Sequence, residues 1–317
     1  MKPLLVLVAS LSFLAAQARA ECVMAPDDRA WAETALANWR IAERELLHLA
    51  PAPLPLIVVA DGACTYQGTM DAGAAITWRA EPHEGEIVLP GGARVPPGPV
   101  SFASPAADGA PAFFVMTLPS VWAAAGGTSE LGLTALMDGV MLHEIMHTRQ
   151  FDLMAPKFAT LDAPDDLDDD SLQARWKDDA AYVAAYEAER DALFAAAAAT
   201  GDAEARTKAA EALASMRARR ANFFAGPDAV WAVYDDIFLT MEGLGQWVAY
   251  AWFARERSDL NGDALLAAVR RGGRHWSQDE GLALFLVIDR LVPDWQAHAF
   301  AAEPEFAEAL LARAAGE

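Results

Sequence analysis

The sequence predicts an α+β fold, a small N-terminal β-sheet region packed on a mostly helical C-terminal part. Two observations carry this. Residues 55–125 hold short apolar runs cut by Pro and Gly, as strands do, whereas the chain after Gly126-Gly127 is Ala-rich with helical spacing of its apolar positions.

The elements follow in order. Lys2, an apolar run over Leu4 to Ala16, and Ala18-Arg19-Ala20 read as a cleaved signal peptide over residues 1–20. That run is short for a membrane span, and Gln17 and Arg19 follow it at once, so no stable membrane insertion is expected. The mature chain divides into 21–127, a helix plus a β-rich region, and 128–317, a helical region. A helix over 27–49 starts on Asp27 and Asp28 and presents Trp31, Leu36, Trp39, Ile41 and Leu46; Pro51, Pro53 and Pro55 end it. Leu56 to Ala60 and Ala112 to Leu118 read as strands, and Ile76-Thr77-Trp78 is expected to pair with Glu86 to Leu89. Thr128-Ser129-Glu130 suits a helix start, and that helix is expected to reach about Phe151. Two Ala-rich helices near 171–199 and 202–224 form a hairpin, split by Thr200-Gly201-Asp202. Helices are expected near 228–256, 261–270, 277–291 and 303–314.

Two gross features bound the partners. A formal charge of -21 argues against nucleic acid. Cys22 and Cys64 are the only cysteines, and an exported protein meets an oxidising compartment, so a Cys22–Cys64 disulfide is expected in a secreted or periplasmic chain.

The chemistry is carried by His143-Glu144-Ile145-Met146-His147. Four residues apart on a helix, His143 and His147 share one face one turn apart and can grip one cation through neutral nitrogens. Glu144 is rotated by about 100° from His143, where it serves water instead of ligating. This is the HExxH arrangement of zinc hydrolysis, with Glu144 as general base and Zn2+ as cofactor. The surrounding pattern of Leu133, Leu136, Met137, Val140, Met141, Ile145 and Met146 is strongly apolar. Polar residues on such a helix need partners. The plain alternative is a pair of histidines satisfied by carboxylates.

A catalytic zinc takes three protein ligands and keeps a position for water. The third-histidine pattern asks for Gly and His where Gln150 and Leu153 stand, which excludes it. Glu242, in Glu242-Gly243-Leu244-Gly245-Gln246-Trp247, is the best carboxylate; Glu280 in Glu280-Gly281-Leu282-Ala283 and the hairpin residues Glu187 and Glu189 are its rivals. For the developing oxyanion, His275, Arg274, Tyr234 and Tyr250 are the candidate donors. Val115 to Leu118 is a candidate edge strand for pairing with an extended peptide, with a buried core strand as the alternative.

Together the two segments resemble those of the gluzincin metallopeptidases. The resemblance implies a zincin-like fold, His143, His147 and Glu242 as zinc ligands, Glu144 as base, and a peptide or protein substrate. It covers two short segments. The hairpin 171–224 would be an insertion between them, the exopeptidase signature Gly-Ala-Met-Glu-Asn is missing, and Gln246 stands where many gluzincins place an Asp. Gln246 is expected to hold a ligand histidine in its place. Two other readings are a periplasmic peptide-binding or scaffold protein with a structural or inactive metal site, and a hydrolase of non-peptide esters or amides. Asp165, Asp166 and Asp168 to Asp170 match no calcium loop, and Asp170 is expected to cap the following helix. Asp259 to Asp263 fails as an EF-hand because Ala264 replaces its Gly and Arg270 its Glu.

Overall fold

The computed structural model describes residues 22–69, 76–106, 112–161, 168–257 and 259–317. The expected signal peptide, Asp165 and Asp166 lie outside these residues. The chain opens with α1 (Pro26–Glu45), which ends a turn earlier than expected, with His48 in a left-handed conformation at φ 53°. Among the described residues seven strands follow: β1 (Leu56–Ala60), β2 (Cys64–Thr69), β3 (Thr77–Pro82), β4 (Ile87–Val88), β5 (Arg94–Val95), β6 (Ser101–Ser104) and β7 (Phe113–Thr117).

Five strands form one sheet in the order β3-β2-β1-β7-β6, with β1 and β7 parallel and the other pairs antiparallel. Alternation divides the central strands between two cores. Ile57, Val59, Phe114 and Met116 face the main helical core, while Val58, Phe113 and Val115 bury a second cluster with Ile87 and Leu89. That second cluster corrects the expected pairing of 76–78 with 86–89. Ile87 belongs beneath the sheet, so β4 pairs with β5 there and β3 pairs with β2. The Cys22–Cys64 disulfide forms as expected and ties the start of the described chain to β2.

The helical part contains α2 (Pro119–Ala124), α3 (Leu133–Phe158), α4 (Ser171–Trp176), α5 (Ala180–Ala197), α6 (Asp202–Phe223), α7 (Val230–Glu256), α8 (Gly262–Arg270), α9 (Trp276–Leu291), α10 (Trp295–Ala299) and α11 (Ala307–Ala315). Helix α3 starts later than Thr128 because Gly132 turns the chain at φ 86°, and it runs past Phe151 to Phe158. The first hairpin helix is split in two; the Asp179 side chain accepts from the Ala181 and Tyr182 amides and starts α5 afresh. No helix of the described residues is long and apolar enough to cross a membrane.

Helix α7 is the centre of the helical part and packs on α3 and α9. Its contact with α9 is backbone to backbone. A Cβ on Gly243 would stand 2.7 Å from the Gly281 carbonyl oxygen, and one on Gly281 would stand 2.6 Å from the Gly243 Cα. The two Glu-Gly-Leu segments are therefore the two sides of one helix crossing.

Candidate metal centre

Helix α3 presents His143 and His147 one turn apart, and α7 crosses it to add Glu242. All three side chains are buried. The His143 and His147 Nε2 atoms lie 2.8 Å apart. Glu242 Oε2 is 3.2 Å from His143 Nε2, and Glu242 Oε1 is 3.2 Å from His147 Nε2. Ligands at about 2.0–2.2 Å around a tetrahedral cation stand about 3.3 Å from one another. The three donors thus converge as a cation requires, and among the described residues this group has the composition and spacing of a metal site. Glu242 Oε2 is buried without a hydrogen-bond partner, a costly state that a cation would relieve.

The electrostatics agree with the geometry. Burial works against a charge on His147, but Glu242 outweighs it and raises the imidazole to about 9. Burial likewise opposes the Glu242 charge, yet His147 and His143 hold its carboxyl well below the usual range. Glu144, next along α3, is pushed up by burial, against the pull of both histidines.

The ligands are held from behind. Gln150 Oε1 accepts from His147 Nδ1 at 3.1 Å, and its Nε2 donates to the Thr240 carbonyl at 3.3 Å, two residues before Glu242. This corrects the role expected of Gln246, which instead donates to Gln278 Oε1 at 2.7 Å. The sequence signal for Gln150 was its position three residues after His147, the same helix face. Gly245 lets α7 lie against the His143 ring, since a Cβ there would stand 2.5 Å from Nδ1.

The rival carboxylates are elsewhere. Glu187 is exposed on α5. Glu189 is buried against Arg219, at 2.7 and 3.1 Å, and Glu280 lies 3.6 Å from the same guanidinium. Arg219 must be neutralised because it is fully buried, and it draws in these two together with Asp235.

A cleft of about 780 Å3 opens on the three donors and Glu144. It runs along α3, with Leu136 and Val140 before the histidines and Phe151 and Phe158 after them, and β6 supplies Ser101 to Ala103 to its wall. Of the two readings of Val115 to Leu118, the buried core strand holds and the edge strand does not. Strand β7 is interior and fully buried, while β6 is the edge of the sheet on the cleft side. Of the expected oxyanion donors only His275 lines the cleft, its Nδ1 3.2 Å from Asp170 Oδ1. Asp170 stands at the start of α4 but makes no side-chain cap. Tyr234 donates to the Asp168 carbonyl at 2.5 Å, and neither Arg274 nor Tyr250 reaches the cleft wall. Asp169, also in the wall, is raised to about 7 by burial, with Glu242 adding to the shift. Arg271 lines the cleft as well and escaped the sequence reading; the adjacent Gly272-Gly273 pair was its one signal. Arg271 is exposed as a residue, but desolvation by the surrounding wall lowers its guanidinium, against the charges of Glu144 and Glu242. Compared with family models, curated proteins and solved structures, the chain matches none, so the site itself is the basis for reading its function.

Proposed function

We propose that this chain is an exported zinc-dependent metallopeptidase-like hydrolase of gluzincin type and zincin-like fold, with His143, His147 and Glu242 holding the metal. The single observation that carries this is the convergence of those three buried donors beside Glu144 in one open cleft. When bound, zinc supplies a Lewis acid that polarises a carbonyl and acidifies water.

The side chains divide the remaining work. Glu144 takes the proton of the attacking water on its carboxylate and passes it to the leaving nitrogen, and its burial-raised affinity for protons suits both steps. Gln150 keeps Nδ1 of His147 as the donor, which leaves Nε2 free to ligate. His275 is the wall donor available to a developing oxyanion. Among the described residues β6 pairs with β7 alone, which leaves its outer side for an extended peptide and favours a peptide over a compact ester. The disulfide agrees with an exported protein.

A scaffold or peptide-binding protein with a structural zinc asks for a fourth protein ligand and a closed site. Among the described residues three side chains contribute, and a cleft opens on them. The deciding experiment is zinc analysis and peptide hydrolysis of the wild type and Glu144→Gln. The expected result is full zinc content in both and at least about a hundredfold loss of kcat in the variant. Unchanged hydrolysis in Glu144→Gln would sink the proposal.

A further inference from the structure

Arg271 is the C-cap of α8 and takes a left-handed conformation at φ 48°, which disfavours any residue with a Cβ. Gly272 and Gly273 follow at φ 76° and 65°, so the backbone turns left-handed for three residues at the cleft wall. A disfavoured conformation held at a cleft is a reason to look for a role.

Its side chain has an unusual set of neighbours. Arg270, the preceding residue, is tied to Asp279 at 2.7 and 3.0 Å. Arg271 instead donates to Gln278 Oε1 at 3.2 Å, a neutral acceptor that also receives Gln246 Nε2. Gln246 lies one turn beyond Glu242 on α7, so this relay fixes the guanidinium relative to the metal centre. Among the described residues no carboxylate forms an ion pair with Arg271. Among the described residues Arg271 is the one Arg or Lys in the wall, whose other members include apolar Phe102, Phe253 and Val269, acidic Asp168 to Asp170, and the uncharged polar Ser101 and Gln278. A planar guanidinium with five donors is suited to carboxylate recognition.

We propose that Arg271 is a specificity residue that pairs with a carboxylate of the substrate close to the cleaved bond, either a C-terminal carboxylate or an Asp or Glu side chain. Cleavage beside that carboxylate rests on the hydrolase function proposed above; the pairing itself does not.

The test uses the full mature chain and peptides of one sequence in two pairs, one with the C-terminal carboxylate free or amidated, the other with Glu or Gln in the side-chain position. Arg271→Gln is expected to raise KM by about tenfold to a hundredfold for the carboxylate member of one pair, while its neutral partner changes by less than about twofold. The responding pair identifies the source of the carboxylate. Arg271→Lys is expected to recover part of the loss, because charge returns without the planar fork. An equal fall in kcat for all peptides would overturn the proposal in favour of an oxyanion role, and so would no change. Calorimetric titration of the same peptides into Glu144→Gln, with and without Arg271→Gln, reads the pairing without turnover. A carboxylate preference present in the first protein and lost in the second supports it, and no preference in the first overturns it. If the wild type cleaves none of the peptides, the hydrolase reading fails while the titration still decides the role of Arg271.

Discussion

Gln150 makes two bonds and through them links the two helix faces that carry the candidate metal donors. It accepts from the ring of His147 and donates to the α7 backbone beside Glu242. Gln150→Leu should weaken zinc binding by about tenfold to a hundredfold, read by competition with a chromogenic chelator, with the fold retained by circular dichroism. A second residue-scale prediction concerns pH. Asp138 accepts from Trp31 Nε1 at 2.7 Å, and burial raises its carboxyl to about 6 despite that bond. An acid whose pKa is higher folded than unfolded favours the folded state when protonated. Its contribution is therefore most favourable below about 4 and declines as pH rises through about 6. Asp138→Asn keeps an acceptor for Trp31 and removes the charge. It should stabilise the protein by about 1 kcal/mol at pH 8, the site being part-exposed, and by almost nothing at pH 4. Chemical denaturation at both pH values checks this, and a gain that does not depend on pH would contradict it.

The decisive feature among the elements is how closely α7 approaches its neighbours. Gly243 meets Gly281 with no room for a methyl on either side; the obstructing atoms are backbone, joined on the Gly243 side by the Phe285 ring. Gly243→Ala or Gly281→Ala should each lower stability by about 1–3 kcal/mol through overpacking, measurable as a fall in Tm. The pair should be less than additive, because the first substitution already separates the helices. This crossing also explains why two Glu-Gly-Leu segments look alike in sequence. The glycines serve the contact, while the glutamates diverge, Glu242 toward the histidines and Glu280 toward Arg219. Helix periodicity made α7, α8 and α9 legible within a residue or two. The start of α3 and the break before α5 were not, because a glycine turn and a side-chain cap decided them.

Across the whole molecule, the hairpin of α5 and α6 is joined to α7 and α9 by a buried charge cluster. Arg219 is fully buried and holds Glu189 on α5 and Asp235 on α7, and it also donates to the Tyr182 hydroxyl at 2.8 Å. Arg219→Met strands these carboxylates in the core and should cost about 3–5 kcal/mol, seen as a lower denaturation midpoint. The metal site is expected to survive in whatever fraction stays folded, since Arg219 touches none of its ligands. The sequence alone determined the α+β division, the disulfide partners, and the two histidines with their neighbouring glutamate, because each depends on local spacing or on having a single partner available. Glu242 stood out among its rivals by resemblance, but only tertiary structure could place it. A carboxylate 95 residues along the chain from His147 reaches the site through a helix crossing, and crossings are set by packing, not by spacing. The same reason applies to β6 as the sheet edge, to Gln150 behind His147, and to Arg271 in the cleft wall. Each acquires its role from a neighbour that is remote in sequence.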